Sequence, residues 1–274
     1  MEIFRYQFFL KALLAALLTS ISCGIVGTYI VSKRIVFLSG GITHASFGGI
    51  GIGYFLGINP ILGAAVFAVL SALGIEFISK KADIREDSVI GIWWSFGMAL
   101  GIIFIFITPG YAPNLLSYLF GSILTITDVD IYMMIGLNVV LILFFSLLFK
   151  IILFISFDAE YASTYRAPVQ LINYLLISLV ALTIVINIRV MGIILIISLL
   201  TIPQTIANLF TKSFRNIIYV SVVLALTGCI AGLFVSYRFD IPSGASIIFI
   251  LVILFLFARV YKRLAQRITI RKLS

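Results

Sequence analysis

His44 is the only histidine in the chain, and it stands in the run Ser39-Gly-Gly-Ile-Thr-His-Ala-Ser-Phe-Gly-Gly49, between long apolar stretches. An ionisable side chain is costly in hydrocarbon, so an imidazole at that depth faces a packed interior or an aqueous pathway. Neutral imidazole is also the commonest nitrogen ligand for transition metals. Its neighbours are small: Gly41, Ala45, Gly49 and Gly53 recur every four residues, and Gly40, His44 and Gly48 form an adjacent row. Such spacing lets helix backbones approach closely, and glycine-rich helices are also the ones that open around an ion. Two readings stay open: tight packing with His44 bonded to a neighbouring carbonyl, or a ligand on a translocation path.

One imidazole is a poor metal site by itself, since transition metals take about four to six donors. A homodimer with its two-fold axis along the pathway would supply two. The hydroxyls of Thr43 and Ser46, carbonyls freed near the glycines, and water would complete a loose shell, and looseness is what release of a cargo ion requires. Cys23 and Cys229 lie mid-span and far apart in sequence. They make neither a disulfide framework nor a metal-spaced cluster and read as polarizable packing residues.

The elements that must position His44 follow from composition. The 274 residues are 62% hydrophobic and 11% charged, with a mean hydropathy of +1.24; soluble domains carry roughly 25% charge. Apolar runs recur from end to end, which predicts an all-α polytopic membrane protein, with residues 1–274 as a single transmembrane domain. Cutting at charged and Pro/Gly-rich breaks gives spans at 10–32, 36–56, 60–79, 88–108, 131–156, 170–188, 191–210, 217–236 and 243–260. That is about eight to nine transmembrane helices, with room for a further short segment in 111–130. The first run lacks a small-residue cleavage site and reads as a retained span.

A net charge of +9 would suggest nucleic acid in a soluble protein, but here the excess sits in loops beside spans and reports topology, so no nucleic-acid partner is expected. Of the 19 Lys and Arg residues, all but Arg5, Lys11, Arg189 and Arg238 fall on one side of the membrane when alternate loops are assigned to it. The positive-inside bias makes that side, and the C-terminus, cytoplasmic. The basic tail reads as a stop signal or as a contact for anionic lipid.

Acidic residues lie in or beside loops, and only Glu76 approaches a span, so no carboxylate relay crosses the membrane. Gradient-coupled carriers usually need such groups. The chain also lacks a Gly-Lys-Ser/Thr phosphate loop, so it is not read as an enzyme, and uphill transport would draw energy from another polypeptide. The element for docking that partner is the loop Ser156-Phe-Asp-Ala-Glu-Tyr-Ala-Ser-Thr-Tyr-Arg-Ala-Pro168. Asp158 reads as an N-cap, Phe157 and Tyr161 share a face, and Glu160 and Arg166 stay solvated. An amphipathic interfacial helix is the other reading of the same loop. Pro203 stands inside an apolar span and predicts a kink.

With these residues in hand, the chain resembles the permease subunit of bacterial metal-uptake ABC transporters, the zinc/manganese/iron ABC-3 family. Phe37-Leu38-Ser39-Gly40-Gly41-Ile42-Thr43-His44-Ala45 is similar to the family's Phe-Leu-Gly-Asp-Ala-Leu-Ser-His-Ala stretch. Glu86-Asp87-Ser88-Val89-Ile90-Gly91, Leu116-Ser117-Tyr118-Leu119-Phe120-Gly121, Ser156-Phe157-Asp158, Val190-Met191-Gly192, Ile202-Pro203 and Ile241-Pro242-Ser243-Gly244-Ala245 follow in the family's order. The resemblance implies a type II ABC importer-like fold, a homodimer in the bacterial inner membrane, two copies of an ATP-binding subunit and an extracytoplasmic metal-binding protein. It also implies metal passage near His44 and docking of the ATPase at Phe157–Arg166. Gly40 departs from the pattern, because the family has Asp there; loss of that carboxylate leans the cargo toward Zn²⁺, with Mn²⁺ or Fe²⁺ next. No permanently bound cofactor is expected. The alternatives are a gradient-driven metal carrier or channel without an ATPase, and a same-fold permease for a metal chelate.

Overall fold

The computed structural model describes residues 7–81, 84–109, 121, 126–157 and 168–273, without the side chains of Lys80 and 267–273. Every regular element among them is a helix, as hydrocarbon demands of a chain that must satisfy its own backbone. In order these are α1 (Gln7–Ser32), α2 (Val36–Phe55), α3 (Pro60–Lys81), α4 (Glu86–Ile107), α5 (Asp128–Leu147), α6 (Phe149–Phe157), α7 (Val169–Met191), α8 (Ile193–Leu199), α9 (Ile202–Phe210), α10 (Phe214–Phe239) and α11 (Ser243–Leu273). Among the described residues eight stretches are long and apolar enough to cross a membrane, with α8 and α9 together forming one of them. The 20-residue α2 is not among the eight: glycines, hydroxyls and His44 dilute its hydropathy. It is packed as a span nonetheless. The segment expected in 111–130 lies outside the described residues except for Gly121 and 126–130, the last of which open α5.

Two expected spans are interrupted. Residues 131–156 divide at Leu148 into α5 and α6, and 191–210 divides at Leu200–Thr201 into α8 and α9. Pro203 therefore falls in the first turn of α9 rather than in a bent continuous helix. Proline is tolerated there because an N–H at that position has no helical acceptor. The break is repaired by Gln204, whose Nε2 donates to the carbonyls of Leu199 at 3.1 Å and of Cys23 in α1 at 2.8 Å. Gly27 of α1 makes room for it, since a methyl group there would strike the Gln204 amide. Between α7 and α8 the chain turns at Gly192, where φ is 79°, a backbone conformation that glycine takes without steric cost.

Packing divides into two groups joined by α7. In one, α2 is pressed between α3 and α4; in the other, α1 packs on α10, and α10 on α11. Polar side chains bind α1 to α7 inside the apolar mass: Thr19 Oγ1 donates to Asn187 Oδ1 at 2.8 Å, and Asn187 Nδ2 donates to the Thr183 carbonyl at 2.7 Å. Interhelical hydrogen bonds of this kind add specificity where lipid offers no hydrophobic drive between helices. Cys23 and Cys229 are free and fully buried in α1 and α10. Lys262 of α11 donates to the Leu209 carbonyl near the end of α9, a lysine capping a helix C-terminus.

Glycine is what lets α2 sit so close to its neighbours. A methyl group at Gly49 would fall on the Gly63 carbonyl of α3, and one at Gly63 on the Gly49 carbonyl. On the α4 side, Gly51 faces the Gly101 backbone, while Gly97 faces the backbone of Ala45. Gly49→Ala should therefore lower the unfolding temperature of the purified protein in detergent, at an overpacking cost of about 1–3 kcal/mol. Gly136→Ala serves as the control, because a methyl group there meets open space; it should leave the temperature unchanged or slightly raised. Equal effects at the two positions would contradict the packing described.

Candidate metal pathway and its surroundings

Along α2, every residue from Leu38 to Gly51 is buried except His44, which is half-buried. Since α3, α4 and α7 all pack on the helix, the imidazole marks the face they leave open and is the only side chain between Leu38 and Gly51 to reach the protomer surface. At 1.5 Å per residue it stands about 12 Å from the Val36 end of a helix about 30 Å long. The ring stacks on Trp94 of α4, with centroids 4.0 Å apart and planes 7° from parallel. Its Nδ1 is buried and has no hydrogen-bond partner, so the expected bond to a neighbouring carbonyl is not formed. Trp94 in turn meets Phe37 at 6.3 Å and 43°, and Phe37 is seven residues before His44 on the same face.

The other members of the predicted constellation have packing roles. Gly41 lies against the Ile90 side chain, Gly48 against Phe67 and the Gly97 carbonyl, and Gly53 against Pro60. Ala45 forms the wall that Gly97 approaches. Gly40 differs: a methyl group there would find only Trp94, at 4.0 Å. Thr43 and Ser46 are fully buried and spend their hydroxyl protons on their own helix, to the Ser39 carbonyl at 2.6 Å and the Thr43 carbonyl at 2.7 Å. The hydroxyl shell expected around His44 is thus not assembled in the protomer. Among the described residues no group of three or more His, Cys, Asp or Glu side chains is placed to hold a metal. Of the expected docking loop, Phe157 ends α6 and is exposed; Asp158, Glu160, Tyr161 and Arg166 lie outside the described residues.

Sequence reasoning missed two buried ionic groupings, one at each end of the helices. At the end holding the α1–α2 turn, Lys33 Nζ donates to Asn173 Oδ1 at 2.6 Å and to the Tyr29 hydroxyl at 3.2 Å, and Asn173 Nδ2 donates to Glu76 Oε1 at 2.7 Å. Glu76 and Asn173 are both buried, so the network ties α1, α3 and α7. At the opposite end, Asp130 is 2% exposed and lies 2.9 Å from Arg189 Nη1, an ionic contact without hydrogen-bond alignment. Its Oδ2 accepts from Thr127 N at 2.9 Å, and Thr127 Oγ1 accepts from Asp130 N at 3.3 Å, which makes a capping box for α5. Lys11 also pairs with Asp128 at 2.7 Å. Two of the four cations assigned outside by the charge count are therefore matched by carboxylates. The available signal for the first was a polar residue inside an apolar run: Glu76 and Asn173 each stand in one.

A cleft of about 370 Å³ opens beside Phe37, between the α1–α2 turn and the start of α4, lined by Arg34, Arg85, Glu86 and Asp87 among others. It carries both signs of charge, and Arg85 closes on Asp87 at 2.7 Å.

The ABC 3 transport family matches residues 5–262, and the chain belongs to it; that membership and the fold are those of a transport subunit rather than an enzyme. An uncharacterised membrane protein of Synechocystis sp. is 40% identical over 94% of this chain and 92% of its own length. The manganese transport system membrane protein of Halalkalibacterium halodurans is 32% identical, over 94% of this chain and 88% of its own. Among solved structures, PsaBC from Streptococcus pneumoniae superposes with a TM-score of 0.84 at 32% identity, covering 94% of this chain and 92% of that one.

The two ion pairs at the Asp128–Asp130 end should differ in weight. Asp128 is 72% exposed, whereas Asp130 is 2% exposed. Asp128→Ala is expected to cost about 0–1 kcal/mol. Asp130→Ala strips Arg189 of its buried partner and α5 of its cap, and should cost about 2 kcal/mol or more even after allowance for the part-exposed arginine. Equilibrium unfolding of both variants in mixed micelles checks the order; equal losses would contradict it.

Proposed function

We propose that this chain is the permease subunit of an ATP-driven importer of divalent transition metal ions. The observation that carries the reading is His44 itself: the one side chain of central α2 that reaches the surface, near mid-membrane, with its Nδ1 unpartnered. Membership of the ABC 3 transport family supports an ATP-binding partner, and the similar proteins named for manganese transport support a metal cargo. A homodimer in the inner membrane, with its C-terminus cytoplasmic, would set two His44 rings across a shared path. Two ATP-binding subunits would dock near Phe157 and the loop after it, and an extracytoplasmic metal-binding protein would deliver the ion to the opposite mouth.

In this scheme the glycine-locked group α2–α3–α4 moves as one body when ATP is hydrolysed below, and access to the imidazole pair alternates between the two ends. The ion is cargo and never a fixed cofactor. Its identity is approached from two sides. The names of similar proteins favour Mn²⁺, whereas a site with Gly40 in place of a carboxylate favours the more imidazole-seeking Zn²⁺.

Reconstitution with the ATP-binding and metal-binding partners gives the test. His44→Ala should reduce ATP-dependent ⁵⁴Mn²⁺ or ⁶⁵Zn²⁺ uptake about tenfold or more, on the scale that loss of metal-site groups usually costs, while assembly with the ATPase persists. Competition between the two metals in the wild-type protein ranks them. Uptake that His44→Ala leaves intact would remove the histidine from the pathway, and metal flux driven by a proton gradient without the ATPase would overturn the importer reading.

A further inference from the structure

We propose that Trp94 is the residue that positions His44 and, with Gly40, sets which divalent metals the pathway accepts; this rests on the reading of His44 as the cargo ligand. Three observations converge on it. The indole lies flat on the imidazole at 4.0 Å and 7°. It is also the only neighbour within 4 Å of where a methyl group at Gly40 would stand, again at 4.0 Å. And Nδ1 of His44 has no hydrogen-bond partner.

Metal-bound histidines ordinarily have their rings fixed by a hydrogen bond from the second nitrogen to a carboxylate or carbonyl, which selects both orientation and tautomer. His44 has no such bond, so another contact must fix its ring. Stacking on Trp94 does this by steric and dispersion contact. The indole covers one face, Phe37 braces the indole from the side, and the imidazole is left free to present its edge. Orientation without a hydrogen bond leaves both nitrogens uncommitted, which suits a site that must take up and give back its ion.

Gly40 is one helical turn before His44, on the same row of α2. A methyl group at that position would meet only the Trp94 ring, at 4.0 Å, so an acidic side chain there has room beside the indole that stacks on the imidazole. In this chain the space has no side chain of its own, and its nearest wall is aromatic. The cargo therefore meets imidazole edges and an indole, without a carboxylate. Such a wall disfavours cations that need several hard oxygen donors and spares those content with nitrogen. Trp94 acts here as a positioning and selectivity residue; the ligand is His44.

The experiment measures metal uptake by the reconstituted complex as a function of Mn²⁺ or Zn²⁺ concentration. Trp94→Leu should raise the half-saturating concentration about tenfold, the usual scale for loss of an orienting partner, with the maximal rate within about twofold of wild type; Trp94→Phe, which retains a stacking ring, should recover most of the loss. A second readout uses the fact that the chain has only two tryptophans. In a Trp93→Phe protein Trp94 is the sole indole, so its emission should change when Zn²⁺ is added, and His44→Gln should abolish that change. Wild-type saturation by Trp94→Leu, with His44→Gln inactive, would overturn the role of Trp94 and leave His44 as ligand. Wild-type uptake by His44→Gln would overturn the His44 reading, and this one with it. Should Trp94→Leu fail to reach the membrane, emission decides: a transport-competent Trp93→Phe protein whose fluorescence ignores saturating metal overturns the proposal.

Discussion

Everything around His44 depends on backbone-to-backbone contact between α2 and its two neighbours. Gly49 against Gly63, Gly51 against Gly101, and Gly97 against Ala45 bring three helices closer than any side chain would allow. Two faces of α2 are consumed in that contact, so its hydroxyls are buried and turned back onto their own helix. A single row of side chains is left facing outward, and His44 is the member of it at mid-depth. Replacing one glycine would not only cost packing energy; it would also rotate or lift the helix that aims the imidazole.

Among the described residues outside α2, ion pairs are kept to the ends of the helices, and the polar groups between them are uncharged. The Lys33–Asn173–Glu76 network closes one end of α1, α3 and α7, and the Arg189–Asp130 and Lys11–Asp128 pairs close the other. Between them, Thr19–Asn187 and Gln204 join helices without adding charge. The middle of the protomer is therefore neutral apart from what His44 carries. A cation crossing such a body has one nitrogen ligand at the protomer surface to meet, which is why a second copy of the chain enters the proposed mechanism.

Much of the architecture was legible in the sequence because span length and hydropathy report directly on the bilayer. The small-residue rows announced close packing of α2, and the structure supplies partners for Gly41, Ala45, Gly48, Gly49 and Gly53. Two breaks were not legible: Leu148 and Leu200–Thr201 carry no strong local signal, and Pro203 pointed to a kink where two helices meet. Hydropathy gives α2 only marginally as a span, because its glycines, hydroxyls and His44 dilute the apolar run. The partners of His44 were the largest omission. Thr43 and Ser46 are near in sequence, but helix hydroxyls bond back to preceding carbonyls. Trp94, some fifty residues away, reaches the ring only because Gly97 and Gly101 bring α4 alongside, and no spacing within α2 reveals that.

In the proposed mechanism a transported metal is held by imidazole at mid-membrane, shared between two copies of the chain. X-ray absorption at the zinc edge of the purified, Zn²⁺-loaded permease tests it most directly. The predicted spectrum shows imidazole scattering with one metal per two chains, and His44→Ala loses both the scattering and the metal. Zinc retained in His44→Ala with the same spectrum, or a wild-type spectrum containing oxygen ligands alone, would contradict it.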